Sequence, residues 1–396
     1  MHEFRIGVPE SEIDDLHRRL DATRWPLHVD AGWSEGTDEH YLRSLLTSWR
    51  HDFDWRQQEQ SLNSLRQIRG TIDGIAIHAI HTPGNGPAPM PLLMSHGWPS
   101  SFAEWRWVIG ALTDPGAHGG DPADAFDVVA PSLPGYGFSE TAPTPGMTPR
   151  RIAALFAELM SALGYECFGV HGCDWGAYVT ALLALDRPDR VVGAHMGMVS
   201  LSGVATGHEA GDEDDGYRKR VRAWREEEQG YVALQSTKPA TLAYGLNDSP
   251  AGLAAWIAEK WRAWSDCSGE PESAISRDDL LTNVSLYWFT NTIGTASRLY
   301  RESRMAPVRL AAGERVTVPC GFLLERPGVP SEERTFLDVA RIGAPPRARA
   351  ERAFDVHRWT VIDRGGHFPA LEIPEVFVDE LRAFFRPVRA SESSRP

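Results

Sequence analysis

A five-residue segment near the middle of the chain places a carboxylate where an enzyme could use it as a nucleophile. The segment GCDWG, residues 172–176, follows the apolar run 168–170 and precedes an apolar helical segment at 177–184. Its two glycines permit a sharp turn from strand to helix, so the central residue projects from the strand end. There, Asp174 could displace a leaving group at saturated carbon and form an alkyl ester that must then be hydrolysed. The alternative is that Asp174 merely caps the helix.

Late in the chain, His367 stands where a general base for such an ester hydrolysis is expected. It follows Gly365 and Gly366, after a strand-like segment that begins at residue 357. The glycines permit a close approach between segments. Enzymes with a nucleophile at a strand–helix turn place their histidine last along the chain, after the nucleophile and an acid. The sequence therefore predicts that His367 activates the water that attacks the ester.

A second turn supplies the backbone donors that ester hydrolysis needs. His96-Gly97-Trp98-Pro99 follows the apolar run 91–95. An N–H group from a loop in this position pairs with the N–H after the nucleophile to hold the negatively charged oxygen of the intermediate. The predicted donors are the backbone amides of Trp98 and Trp175, and the alternative is a simple turn.

The imidazole also needs a carboxylate partner, expected after the strand-like run 315–324. Glu325 comes directly after that run and is the first choice by position. Glu332, Glu333 and Asp338 follow in the same loop and remain alternatives. Each of these carboxylates, taken singly, could instead be a solvated loop charge.

Short apolar strands alternate with helices on both sides of these residues. This alternation predicts a mostly parallel sheet covered on both faces, the layout of an α/β-hydrolase fold. A hairpin is expected at 71–82, turning at Asp73-Gly74. Further strands are expected at 91–95, 168–170, 190–198, 315–324 and 357–367, and the segment 127–139 repeats the design of a strand followed by a Gly/Pro turn. Helices are expected at 39–51, 102–112, 177–184 and 374–385.

Five stretches are expected along the chain. Residues 1–90 form an N-terminal segment that packs on the core, and 91–205 form the first half of the core. Residues 206–310 form a helical, tryptophan-rich lid, 311–388 form the second half of the core, and 389–396 form a disordered tail.

Composition narrows the class of protein. The chain has 396 residues, 42% of them apolar, and a net charge of −14, which argues against nucleic acid or an anionic membrane surface as partner. Its four cysteines form no Cys-x-x-Cys pair, no cofactor or metal motif stands out, and four scattered thiols suggest a reducing compartment. Neither a signal peptide nor an apolar span is visible, so a cytoplasmic protein is expected.

Several stretches, in order, resemble the microsomal-type epoxide hydrolase family, specifically its soluble bacterial branch. They are FRIGVPESEIDDLHRRLDATRWP, HGWPSSFAEW, PSLPGYGFS, HGCDWGAYV, TKPATLAYGLNDSPAGLAAWIAEKWRAWSD and RGGHFPALEIPE. The resemblance covers nearly the whole chain. It implies an Asp–His–Glu/Asp triad, in which Asp174 and His367 match the nucleophile and the base.

The resemblance also implies two lid tyrosines that hydrogen-bond the epoxide oxygen. Tyr231 in GYVALQSTKP matches the first, and Tyr300 in YWFTNTIGTASRLYRE matches the second. Taken alone, each tyrosine could simply pack in the lid. The sequence departs from the family pattern at the acid of the triad. The family's Phe-Pro-x-Glu/Asp motif is missing, and its place is taken by a longer segment, GFLLERPGVPSEERTFLDVARIGAPPR. The choice between Glu325 and the later carboxylates therefore stays open.

The expected function is hydrolysis of an epoxide to a vicinal diol, with a bulky or aromatic epoxide and water as reactants. Two alternative functions are considered. One is that of a haloalkane dehalogenase, which would need halide-binding N–H donors rather than phenols, and the other is that of a non-catalytic ligand-binding homologue. Both detoxification and natural-product biosynthesis, for example of enediyne antibiotics, fit the sequence. The sequence does not determine the exact substrate, the stereochemistry of the product or the oligomeric state, so both a monomer and a homo-oligomer are compatible with it.

Overall fold

Nine strands form one sheet in the computed structural model, which describes residues 1–27, 30–201, 215–326 and 341–392. They are β1 His2–Phe4, β2 Gln67–Ile72, β3 Ile75–Thr82, β4 Met90–Ser95, β5 Phe126–Pro131, β6 Phe168–Gly172, β7 Val191–Met196, β8 Val316–Glu325 and β9 Phe354–Ile362. Their spatial order is β1-β2-β3-β5-β4-β6-β7-β8-β9. The pairs from β5 to β9 are parallel, and the three pairs before them are antiparallel. The mostly parallel sheet predicted from the sequence is confirmed.

Apolar clusters bury both faces of the sheet. Along β4, Leu92 and Met94 pack in one cluster while Leu93, between them, packs in the other, because successive side chains of a strand point to opposite faces. The helices are α1 Glu10–Asp21, α2 Glu39–His51, α3 Trp55–Asn63, α4 Ile109–Thr113, α5 Pro149–Ala162, α6 Trp175–Asp186, α7 Asp215–Glu227, α8 Gly230–Thr237, α9 Pro239–Asp248, α10 Pro250–Trp264, α11 Arg277–Thr290, α12 Ile293–Met305, α13 Arg347–Glu351, α14 Pro369–Glu372 and α15 Pro374–Glu392.

The predicted hairpin is confirmed at its turn. Strands β2 and β3 pair antiparallel down to Ile72 and Ile75, and both turn residues between them have positive φ: 46° at Asp73 and 76° at Gly74. Asp-Gly is a favoured pair for this kind of two-residue turn, since glycine and aspartate tolerate the left-handed region.

The helix predicted over 102–112 is wrong. A 3-10 turn spans Phe102–Trp105, and only Ile109–Thr113 forms an α-helix. Most side chains from Phe102 to Leu112 are buried, so tertiary packing rather than one apolar stripe sets the backbone there.

The last helix runs further than predicted. The sequence placed a disordered tail at 389–396, but α15 continues to Glu392. Arg389 explains part of the extension, because its guanidinium donates to the carbonyl of Asp124 at 2.9 Å and lies 4.2 Å from the ring centre of Phe126. Residues 393–396 lie outside the described residues.

The helices α7 to α12 come between β7 and β8 along the chain, and α2 has the bounds predicted from its apolar stripe. None of the helices in the described ranges is long and apolar enough to cross a membrane. Since β4, β6, β8 and β9 run parallel, their carboxyl ends meet at one edge of the sheet. The turns after these strands are where the sequence placed the candidate catalytic groups.

Candidate active site

Asp174 occupies a strained turn between β6 and α6. Its φ is +50° and its ψ is −122°, a backbone conformation that an L-residue rarely adopts. A Cβ added at Gly172 would come within 2.2 Å of the carbonyl oxygen of Gly176, and one added at Gly176 within 1.9 Å of that of Ser95. The turn therefore depends on both glycines. The Asp174 side chain makes no capping hydrogen bond to α6, which disfavours the reading of a simple helix cap.

A backbone N–H group holds one oxygen of the Asp174 carboxylate. Trp98 N donates to Asp174 Oδ1 at 2.9 Å, and Trp175 N–H also stabilises the charged carboxylate. Gly97, next to Trp98, lies so close that an added Cβ would stand 2.3 Å from Asp174 Cβ. Only glycine lets the loop after β4 approach the nucleophile this closely.

His367 faces the other carboxylate oxygen. Its Nε2 lies 3.7 Å from Asp174 Oδ2. The backbone around it is fixed on both sides: His367 N donates to the carbonyl of Trp264 at 2.8 Å, and Glu372 accepts from Gly366 N at 2.8 Å. A Cβ at Gly366 would come within 2.4 Å of that Trp264 oxygen, so the close approach expected of the Gly-Gly pair is present.

Burial adjusts the pKa values of this pair in opposite directions. It raises the pKa of the Asp174 carboxyl, while the neighbouring His367 and the N–H groups of Trp98 and Trp175 lower it. Burial lowers the pKa of His367, against the opposing effect of Asp174. The imidazole is therefore neutral near pH 7 and able to accept a proton.

Glu325 ends β8 beside Ile362, the last residue of β9, and lines the same cavity as His367. Burial raises the pKa of its carboxyl to about 7, and Arg341 acts in the opposite direction. Within the described ranges, no hydrogen bond joins Glu325 to His367, and Glu325 Oε2 has no partner. The other sequence candidates, Glu332, Glu333 and Asp338, lie outside the described residues.

Two tyrosines from the helices between β7 and β8 lie with their ring centres 5.8 Å apart and line the same cavity as Asp174. Tyr231 of α8 stacks on Trp98, with ring centres 5.1 Å apart and planes 9° apart. Tyr300 of α12 stands edge-on to Trp175 at 4.8 Å. Its buried hydroxyl interacts with Tyr231 and Trp175 but forms no well-aligned hydrogen bond in the part of the chain described. Burial, together with nearby charges that include Asp174, raises the pKa of both phenols well above the usual range. Both phenols are therefore neutral donors.

These groups border one cavity of about 400 Å³. Most of its lining is aromatic or aliphatic, and Asp174, His367 and Glu325 supply its carboxyl and imidazole groups. The apolar lining includes Tyr178, Met198, Val199, Tyr217, Trp224, Trp264, Leu323, Leu324 and Ile342. Among the described residues, no group of three or more His, Cys, Asp or Glu side chains could hold a metal ion.

Sequence reasoning missed the residues that fix His367. Trp264 supplies the carbonyl that binds His367 N, and its ring lies 5.1 Å from the imidazole. Glu372 accepts from three backbone N–H groups, those of Asp266, Gly366 and Phe368. The motifs RAWSD and HFPALE contain both residues, but a single sequence does not show that they meet.

Comparison with known families and proteins gives consistent matches. The family described as epoxide hydrolase N terminus matches residues 1–105, and the alpha/beta hydrolase fold family matches residues 90–241. Epoxide hydrolase 1 of Oryctolagus cuniculus is 34% identical over 410 residues, which cover 96% of this chain and 88% of that protein. A protein of Stigmatella aurantiaca strain DW4/3-1, named for epoxide hydrolysis, is 40% identical over 98% of this chain and 85% of its own length.

Solved structures agree with the predicted fold. The juvenile hormone epoxide hydrolase of the silkworm Bombyx mori superposes with a TM-score of 0.80 at 29% identity, covering 98% of this chain and 94% of that one. The Aspergillus niger epoxide hydrolase gives 0.82 at 26% identity, covering 98% and 96%. The α/β-hydrolase fold is thus confirmed over nearly the full length.

Proposed function

We propose that this chain, which belongs to the epoxide hydrolase family and is an epoxide hydrolase, opens its substrate by forming an ester on Asp174. One observation carries this mechanism. Asp174 has a strained backbone, and its carboxylate lies in a cavity bordered by two buried phenols. Oδ1 accepts from the backbone N–H of Trp98 at 2.9 Å, and Oδ2 lies 3.7 Å from the imidazole of His367.

In the first step, Asp174 Oδ2 attacks an epoxide carbon and the carbon–oxygen bond of the ring breaks. Negative charge then develops on the ring oxygen. Tyr231 and Tyr300 donate to that oxygen, because their raised pKa values keep the phenols protonated. The buried hydroxyl of Tyr300 supports this role. It forms no well-aligned hydrogen bond among the described residues, although Tyr231 and Trp175 interact with it, so a ligand oxygen would satisfy it better.

In the second step, His367 takes a proton from water, and the resulting hydroxide attacks the ester carbonyl. The charge that forms on Oδ1 is held by the N–H group of Trp98, which already donates to that oxygen, and by the neighbouring N–H group of Trp175. Collapse of the intermediate breaks the bond between Cγ and Oδ2, so the diol leaves with the original Oδ2. The second proton of the water stays on the new carboxyl group of Asp174. This proton and the one on His367 together complete the second hydroxyl of the diol and restore the phenol, which leaves Asp174 ionised and His367 neutral.

Glu325 is the proposed partner of the imidazolium. Its position at the end of β8 and its place in the same cavity as His367 support this role. A hydrogen bond between the two side chains must form during the reaction, because none joins them within the described ranges. Glu332, Glu333 and Asp338 are the alternatives.

The proposed substrate is an uncharged epoxide that carries a bulky or aromatic group. Aromatic rings face much of the cavity, and about 400 Å³ suits a molecule larger than a simple alkyl epoxide. The helices α7 to α12 act as the lid, which supplies Tyr231 and Tyr300 together with part of the apolar wall, including Trp224 and Trp264.

A single turnover in heavy-oxygen water tests the covalent route. With enzyme in excess over styrene oxide, the label is expected in the Asp174 carboxylate, found by peptide mass spectrometry, and absent from the first diol released. The Asp174→Ala variant serves as control and should form neither labelled peptide nor diol. Label in the diol of the first turnover would show that water attacks the epoxide directly.

A dehalogenase remains a second candidate because of one observation. The indole Nε1 of Trp175 is buried and forms no well-aligned hydrogen bond among the described residues, although it interacts with the Tyr300 hydroxyl, so it could donate to a departing halide. Halide release from 1-chlorohexane, measured beside diol formation from styrene oxide, separates the two activities.

A further inference from the structure

A lysine ammonium group is buried in the lid directly behind a proposed catalytic phenol. The Lys260 side chain on α10 is only 9% exposed, and its Nζ lies 2.9 Å from Glu228 Oε2 and 2.9 Å from Glu259 Oε2. Lysine is rarely buried, and removing its charge from water is costly even when partners are present. The position therefore calls for an explanation that the mechanism above does not give.

The same ammonium contacts the ring of Tyr231. Lys260 Nζ lies 5.1 Å from the ring centre of Tyr231 and 5.9 Å from that of Trp264. A cation within about 6 Å of an aromatic face is attracted to it, and more strongly where water is excluded. Because Trp98 stacks on the same ring, Tyr231 is held by contacts from both the lid and the core.

The ion pair also fixes the start of the helix that carries Tyr231. Glu228 lies three residues before Tyr231, and its side chain is buried. Its pairing with Lys260 ties this end of α8 to α10. At its C-terminal end, α10 binds the backbone of His367 through the carbonyl of Trp264. One helix thus touches both the phenol and the base.

We propose that Lys260 is a positioning residue for epoxide opening, which acts by fixing the ring of Tyr231 so that its hydroxyl meets the epoxide oxygen. This inference rests on the proposed role of Tyr231. The contact is with the phenol and not with the ester carbonyl. Loss of Lys260 should therefore slow ester formation and leave ester hydrolysis unchanged.

Single-turnover kinetics with styrene oxide test this split. Lys260→Met is expected to slow ester formation about 10- to 100-fold, as for other small displacements of catalytic groups, and Lys260→Arg should recover most of the rate because it keeps the cation. Arg262→Met is the matched control: Arg262 is a buried cation on the same helix, 8% exposed, but it lies over Trp33, 4.5 Å from the ring centre. Ester formation should be unchanged in that variant.

A double-variant cycle separates positioning from general damage. In a Tyr231→Phe background the hydroxyl is gone, so adding Lys260→Met should slow ester formation little further. Equal slowing in both backgrounds, or slowing of both chemical steps, would overturn the inference. If Tyr231→Phe slows ester formation and Lys260→Met does not, this inference alone is wrong. If Tyr231→Phe does not change the rate of ester formation, the proposed role of the phenol is wrong, and the inference about Lys260, which depends on that role, is wrong as well.

Should Lys260→Met not fold, a triple variant replaces it. Lys260→Met combined with Glu228→Gln and Glu259→Gln removes the cation and both of its carboxylate partners, so no buried charge is left uncompensated. The same slowing of ester formation alone is expected, and an unchanged rate would overturn the inference.

Discussion

Gly97 shows how a single hydrogen atom in place of a side chain permits the chemistry. An added methyl at this position would stand 2.3 Å from Asp174 Cβ, so Gly97→Ala must push the carboxylate away from the N–H of Trp98. We expect kcat/KM for styrene oxide to fall by about 100-fold or more, as expected for a misplaced reactive group. Steady-state kinetics and thermal unfolding measure the two effects separately.

The control for this substitution is Gly245→Ala in α9, where nothing lies within 4 Å of the added Cβ. Alanine is the better helix former by about 0.5–1 kcal/mol, so this variant should be fully active and slightly more stable. Full activity in Gly97→Ala would mean that the loop can move without displacing Asp174.

The pH dependence of ester hydrolysis reports on Glu325. Burial raises the pKa of this carboxyl to about 7, so as the pH falls through that value Glu325 takes up a proton and stops stabilising the imidazolium. His367 stays neutral there: burial lowers its pKa, and ester formation removes the Asp174 charge that opposes this shift. Ester hydrolysis should therefore slow below about pH 7, as followed by rapid-quench measurement of the ester.

The Glu325→Gln variant gives the contrast. It should lose this inflection and hydrolyse the ester on the order of 100-fold more slowly at pH 8, while ester formation is kept. An unchanged pH profile of ester hydrolysis would indicate that the triad acid is Glu332, Glu333 or Asp338. Each of these can be tested by the same substitution to the amide.

At the scale of elements, the sequence predicted what depends on local residue patterns. The Asp73-Gly74 turn, helix α2 and the strand before Asp174 were all predicted, because turn residues and apolar periodicity decide them. The segment 102–112 was missed, since almost every side chain there is buried and no stripe reveals the backbone. Contacts between distant elements, such as Trp264 with His367, were also missed, because they depend on how the lid sits on the sheet.

The same difference between local patterns and distant contacts explains which residues of the site were predicted. Asp174 and His367 were found from their glycine neighbours and chain order, and the tyrosines from a resemblance. The structure brings all four to one cavity, and their roles remain proposals. Lys260 was not singled out, since a lysine in an otherwise apolar helix looks like a solvated charge until its burial is known.

At the scale of the whole molecule, a chain of buried polar groups links the sheet to the last helix. His171 on β6 lies 3.1 Å from His195 on β7 between their Nδ1 atoms, and His195 Nε2 lies 3.6 Å from Glu380 on α15. Arg358 and Thr360 on β9 donate to the same carboxylate. Although burial raises the pKa of Glu380, these neighbours lower it to about 2.

This depressed pKa makes Glu380 a source of stability with a defined pH window. Its contribution is complete above the ordinary glutamate pKa of 4.5 and is lost as the pH falls from there towards about 2. Glu380→Gln should reduce the free energy of unfolding by about 2 kcal/mol at pH 7, because a buried carboxylate loses charge-assisted bonds. Urea unfolding at pH 7 and at pH 3 measures this contribution, and the difference between wild type and variant should shrink at pH 3.

Asp379→Asn is the control, since that neighbouring side chain on the same helix is 77% exposed. It should change the free energy of unfolding by no more than about 0.5 kcal/mol. A loss as large as that of Glu380→Gln would show that the net charge of the helix, not the buried chain, stabilises the molecule.

The edge-on contact between Trp175 and Tyr300 has an optical consequence. The indole follows the nucleophile directly in the chain and lines the cavity, so a guest that becomes attached to Asp174 lies against the chromophore. Indole emission responds to the polarity and the quenchers around the ring. Formation and loss of the ester should therefore each change the ultraviolet fluorescence of the protein, and the enzyme would carry its own label-free reporter of turnover.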